Sequence, residues 1–148
     1  MPIRFEHGVE IAQEPALVFA ILDDVSQTPK WLARCTGIEK LTAGPNAVGT
    51  KLRYSYRDGG RSGVMDGETS VRIPNERLTF HYLDKMMDVT VDFQVGKTAT
   101  GTRLMHAIEI TPRTFFARLL SPLIRRQLPK QTITAMQTLQ KMLEAGTA

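Results

Sequence analysis

Disulfides, membrane spans and catalytic signatures are all missing from this sequence, and each absence narrows what it encodes. The 148 residues include one cysteine, Cys35, so no intramolecular disulfide can form, which suits a reducing compartment. No apolar run approaches the roughly 20 residues a membrane-crossing helix needs, and the opening MPIRFEHGVE lacks the charged-then-apolar order of a signal peptide. A cytoplasmic protein is expected. No GxSxG occurs and Cys35 has no histidine near it in sequence, so a nucleophilic enzyme is not indicated. His7, His81 and His106 are far apart, without HxxxH or paired-cysteine spacing, so neither a metal nor another cofactor is expected. The glycine-rich Asp58-Gly-Gly-Arg-Ser-Gly63 lies between strand patterns rather than before a helix, which makes it a hairpin rather than a phosphate loop.

Acidic residues are missing from one long stretch. Between Glu109 and Glu144 there is none, while Arg113, Arg118, Arg125, Arg126, Lys130 and Lys141 all fall there. The formal net charge is only +4, and no recognised module interleaves exposed aromatics with these cations, so nucleic acid is not expected as a partner. The stretch suits either a solvated helix face or a surface for an anionic partner, acidic lipid or an acidic ligand group. Just inside it, Phe115-Phe116-Ala-Arg118-Leu119-Leu120 reads first as packing between sheet and helix, and second as a lid or membrane-docking element.

What is present is a globular pattern. Apolar residues make up 42% and charged residues 23%, and a chain of this length forms one domain, residues 1–148, burying roughly two thirds of its unfolded surface. Ile3 to Ile11 alternates, with Ile3, Phe5, His7, Val9 and Ile11 on one face. A short helix opens at Glu14-Pro15, and a second spans Ser26 to Cys35 and carries Trp31 and Leu32. Strand patterns follow at Ile38–Leu41, Lys51–Arg57, Val64–Ile73, Arg77–Leu83, Val89–Val95 and Thr102–Ile110, the last ended by Pro112. Within 64–73 the pattern sets Met65, Thr69, Val71 and Ile73 against Asp66 and Glu68.

From Ser121 to Gly146 the period becomes helical. Ile124, Leu128, Thr132, Ala135, Met136, Leu139, Met142 and Leu143 share one arc, with Lys130, Thr134, Gln137, Lys141 and Glu144 opposite. Ser121 and Pro122 mark the start, Gly146 the stop, and Pro129 predicts a kink or restart. Strands at hairpin spacing must pair antiparallel. A twisted sheet of about seven strands has one face to cover, and only the terminal helix is long enough to cover it. The fold class is therefore α+β: a strongly curved antiparallel sheet wrapped around a long C-terminal helix, with two short helices between strands 1 and 2, and space left between sheet and helix.

This order resembles the START-like or Bet v 1-like helix-grip superfamily (SRPBCC), especially its bacterial branch of polyketide cyclase/dehydrase and lipid-transport proteins. The residues that carry the resemblance are Val9-Glu-Ile11 followed by Pro15 and Val18-Phe19, Trp31, Val48-Gly49-Thr50, Ile73-Pro-Asn-Glu-Arg-Leu-Thr-Phe80, Gly101-Thr-Arg-Leu104 and Leu139 to Glu144. The resemblance spans essentially the whole chain and implies the fold and a hydrophobic cavity between sheet and helix. It implies no one reaction, because carriers, ligand sensors and cyclases share that fold.

The expected ligand-binding residues are His7, Trp31, Tyr54, Tyr56, Phe80, His106, Met136 and Leu139. Tyr54 and Tyr56 supply polar handles on an inward face, and His7 and His106 are either core histidines or acid–base groups. His81 falls on the solvent side of its strand, and Met86-Met87 suits an adaptable lip. The expected partner is a small hydrophobic or amphiphilic molecule, lipid or polyketide-like, held by a carrier or sensor. The alternatives are a metal-free cyclase or dehydratase using His and Tyr, and a module contacting anionic membranes through the basic region. A monomer and a homodimer are both compatible with the sequence.

Overall fold

Alternating side chains make the sheet, and the one long amphipathic segment fills it. In the computed structural model, residues 2–58 and 60–145 are described; Gly59 of the expected hairpin turn and Gly146, the expected helix stop, lie outside them. The strands are β1 (Ile3–Ile11), β2 (Cys35–Lys40), β3 (Lys51–Asp58), β4 (Arg61–Ile73), β5 (Arg77–Leu83), β6 (Met87–Lys97) and β7 (Thr102–Pro112). All neighbours pair antiparallel, in the order β1-β7-β6-β5-β4-β3-β2. Chain neighbours β1 and β2 thus lie at opposite edges. The segment between them crosses the width of the sheet as α1 (Pro15–Asp23), a 3-10 turn (Val25–Gln27) and α2 (Thr28–Trp31). The chain ends with α3 (Phe115–Leu119) and α4 (Ser121–Ala145). This is the curved helix-grip arrangement.

α4 buries the expected arc: Leu128, Thr132, Ala135, Met136 and Leu139 are buried, whereas Lys130, Gln137 and Lys141 are exposed. Its second half packs into a cluster with Ile11, Val18, Phe19 and Leu22. Three hydrogen bonds tie that half to the end of β1 and the turn after it. Gln140 donates to the Glu10 carbonyl (2.6 Å), Ala12 N–H donates to Glu144 (3.0 Å), and Gln13 donates to the Leu143 carbonyl (2.7 Å). A second tie joins α1 to the sheet. Arg72 donates twice to Asp23 (3.0 and 2.8 Å), Asn46 donates once (2.8 Å), and Thr69 donates to Asn46 (2.6 Å).

Several local expectations are corrected. Helix runs through Pro129 without a break; the Arg125 carbonyl that loses its donor lies on an exposed turn. The second short helix stops at Trp31, and Cys35 already belongs to β2, which is bulged between Cys35 and Gly37. Pro112 is the last residue of β7, paired with Met87, rather than beyond the sheet. In β4 the register shifts between Thr69 and Val71. Met65 and Thr69 are buried as read, but past the bulge Ile73 is exposed and Arg72 turns to Asp23 and the Phe19 ring. His81 is half-buried and pairs with Asp88 at 2.6 Å.

One close approach shapes the interior. A Cβ at Gly67 would lie 2.5 Å from the Tyr82 ring and 3.2 Å from Leu52 Cβ. The buried tyrosine therefore rests on bare backbone. Gly67→Ala should lower the urea midpoint with an unchanged slope, a loss of about 1–3 kcal/mol; a midpoint equal to wild type would mean that the Tyr82 ring yields freely.

Candidate functional site

A cavity of about 470 Å³ lies between the inner face of the sheet and the first half of α4, within the range of roughly 300–1,000 Å³ usual for small-molecule sites. Met65, Phe80, Tyr82, Val91 and Phe93 face it from the sheet, Ile124 and Leu128 from α4. Arg61, Leu123 and Gln127 line it and are also exposed, so the cavity opens to solvent beside the junction of α3 and α4. Met86, from the turn before β6, and Met87, the first residue of β6, line it as well.

Trp31 comes from α2, whose approach is fixed by Asp24: its carboxylate accepts from Ser26 N–H (3.2 Å) and from the Ser26 hydroxyl (2.6 Å). The Trp31 ring meets Phe93 edge to face, with centroids 6.0 Å apart. Phe93 in turn stacks on His106, at 4.7 Å. His106 faces inward because β7 alternates as read, with Leu104, His106, Ile108 and Ile110 all buried.

The wall is polar in one region. Arg34 donates to the Gln131 side chain at 2.6 Å, and both line the cavity. Arg34 and Cys35 are polar neighbours of the Tyr54 hydroxyl. Trp31 Nε1, His106 Nδ1 and Thr132 Oγ1 have no hydrogen-bond partner among the described residues; their residues line the cavity, but these three atoms are themselves covered by packing. Each such atom costs about 1–3 kcal/mol.

Burial shifts four titratable groups in or next to the wall: His106, Tyr54, Tyr82 and Cys35. Burial, with the positive charge of Arg34 adding to it, lowers the His106 pKa from 6.5 to about 4. Burial raises the Tyr54 and Tyr82 hydroxyls above the ordinary tyrosine value. Burial also pushes the Cys35 thiol up to about 11, which makes it an inert thiol. Among the described residues no group of three His, Cys, Asp or Glu converges as a metal site would require.

Of the residues expected to bind ligand, Trp31, Tyr54, Tyr56, Phe80 and His106 line the cavity, and His7, Met136 and Leu139 do not. His7 pairs directly with His106 across β1 and β7, but β1 is the edge strand, and its ring stacks on Phe5 at 6.3 Å instead. Met136 and Leu139 are fully buried in the core cluster, in the half of α4 that packs tightly. Sequence reasoning missed Arg34, Gln131 and Thr132 as a polar group. Thr132 was legible on the buried arc, and an uncharged hydroxyl there was the available signal. Arg34 and Gln131 are 97 residues apart, and only the fold joins them.

The His106 environment has a consequence for stability. As pH falls from about 6.5 to about 4, the unfolded chain binds a proton at this position that the folded chain refuses. Stability contributed by the neutral ring is complete above that window and is lost through it, by roughly 3 kcal/mol. Urea midpoints at about pH 7 and about pH 4.5 should therefore diverge more in wild type than in His106→Gln; equal losses in the two proteins would contradict a neutral buried imidazole.

The geometry can be set beside known proteins. No curated protein matches the chain. Solved structures that share its fold include a START superfamily protein from Mycobacterium smegmatis, 15% identical, with 96% of this chain and 97% of that one covered at a TM-score of 0.79. The Zhui aromatase/cyclase from Streptomyces sp. R1128 is 14% identical, with 100% and 97% covered at a TM-score of 0.80. The di-domain aromatase/cyclase StfQ of the steffimycin biosynthetic pathway is 14% identical, with 99% of this chain and 52% of that one covered at a TM-score of 0.79. At these identities the likeness is one of fold. The sequence itself goes further, because the family model described as polyketide cyclase / dehydrase and lipid transport matches residues 2–143, and the chain belongs to that family.

Proposed function

We propose that the protein binds one small, largely apolar molecule carrying an acceptor oxygen, and serves as its carrier or sensor. The observation that carries this reading is an apolar cavity with one polar stretch of wall, where Arg34 donates to Gln131 and both residues line the space. A guest carbonyl or hydroxyl at that end would accept from the Arg34 guanidinium while its body covers Met65, Phe80 and Val91. Arg34, close enough to act on both His106 and Tyr54, gives the same end of the cavity a positive field that suits a ketone or enolate oxygen.

The rival is a cyclase, a role carried in the names of the Zhui and StfQ neighbours. Proton transfer near neutral pH works best with a group whose pKa lies near 7. His106 at about 4, and tyrosines raised above their ordinary value, are poorly matched to that task. The carrier or sensor reading therefore leads.

Trp31 is the sole tryptophan and lines the cavity, so its emission reports occupancy. Titration with a fluorescent apolar ketone should quench Trp31, and Val91→Phe, which fills the cavity, should weaken binding at least about tenfold. No quenching, or equal binding by Val91→Phe, would rule the cavity out as the site. His106→Gln should alter affinity only; if it abolished turnover of a poly-β-ketone at unchanged affinity, the cyclase reading would replace this one.

A further inference from the structure

We infer that the junction of α3 and α4 is a docking surface for anionic lipid bilayers, set beside the opening of the cavity. The segment reads as sheet-to-helix packing in the sequence, and only Ala117 of α3 packs that way. Phe115, Phe116, Leu119 and Leu123 are 74, 54, 61 and 50% exposed. The other exposed large apolar residues among those described, such as Leu17, Leu41 and Ile73, are scattered along the chain, whereas these four fall within nine positions. Concentrated apolar exposure of this kind marks a surface that meets another phase or molecule.

Charge selects the occupant. Five arginines elsewhere find carboxylates: Arg4, Arg53, Arg72, Arg77 and Arg103 all form ion pairs. Arg118, Arg125, Arg126 and Lys130 are exposed and have no ion-pair partner among the described residues, in a stretch without a single acidic side chain between Glu109 and Glu144. Asp84, the carboxylate on the cavity wall near this end, accepts from the backbone N–H groups of Met86 and Met87 at 2.8 and 2.7 Å. The guanidinium of Arg61 lies 5.9 Å over the Phe116 ring, adding a further cation to the apolar cluster. Aromatic and leucine side chains ringed by unpaired arginines match the two layers of an anionic bilayer surface: acyl chains below, phosphates above. Leu123 is both part of this patch and part of the cavity lining, so a docked bilayer would face the opening.

Co-sedimentation with vesicles tests this directly, whatever the cavity holds. Wild type should bind vesicles of equal parts phosphatidylcholine and phosphatidylglycerol, and should not bind phosphatidylcholine alone. Binding should be lost between about 0.1 M and about 1 M salt, over which the Debye length falls from about 10 Å to about 3 Å. The double variant Phe115→Ser with Leu119→Ser should bind at least about tenfold more weakly, and Arg118→Gln with Arg125→Gln and Arg126→Gln should do the same, both retaining the wild-type thermal transition because these side chains are exposed. Failure to bind at low salt, equal binding to both vesicle types, or variants that bind like wild type would each overturn the inference. So would a wild-type dimer in sedimentation that Leu119→Ser dissociates, since a second copy would then cover the patch.

Discussion

Anchorage of α4 toward the β1 edge of the sheet is the constraint on which the remaining features depend. Its second half is locked twice over: Ala135, Met136 and Leu139 are buried among residues of β1 and α1, and Gln140, Leu143 and Glu144 hold hydrogen bonds to residues 10–13. Burying a side chain the size of leucine or methionine contributes about 1.5–3 kcal/mol, so that half fixes where the helix leaves the sheet. The first half is held on the same side, where Leu128 packs with Ile3, Ile108 and Ile110. The cavity is the space left between that half and the inner residues of β4, β5 and β6.

Electrostatics sets the character of that interior. Burial, with a nearby arginine adding to it, keeps the His106 ring uncharged at neutral pH. Arg34 supplies the local charge, and the Gln131 side-chain carbonyl accepts from it. Among the described residues no carboxylate pairs with Arg34, so the field at that end of the cavity is positive.

Much of this was written in local pattern. Period-two alternation placed Arg77–Leu83 at its observed bounds and turned His106 inward, and the helical arc of α4 was read residue by residue. What escaped was set by tertiary geometry. Met136 and Leu139 sit on the same arc as Leu128, and nothing local says that only the earlier half of that arc borders open volume. A bulge at Ser70 swaps the faces of Val71 to Ile73 without a glycine or proline to announce it. His7 shares the face of His106 yet sits on the outermost strand, a fact of strand order. The apolar run at Phe115 looked like core because composition alone cannot tell a buried phenylalanine from one facing water.

The open ends of the sheet have their own significance. Because the strand order runs from β1 to β2 without closing, two rows of backbone groups are left without a neighbouring strand. On β2 the irregularity between Cys35 and Gly37 interrupts the regular spacing another strand would need, and Glu39 and Lys40 are exposed there. On β1 the exposed charges of Arg4, Glu6 and Glu10 occupy alternate positions. Uncontrolled strand addition, the usual hazard of an unclosed sheet, is thereby discouraged at both margins, and the molecule can keep an adaptable, partly hollow interior without becoming a seed for fibrils.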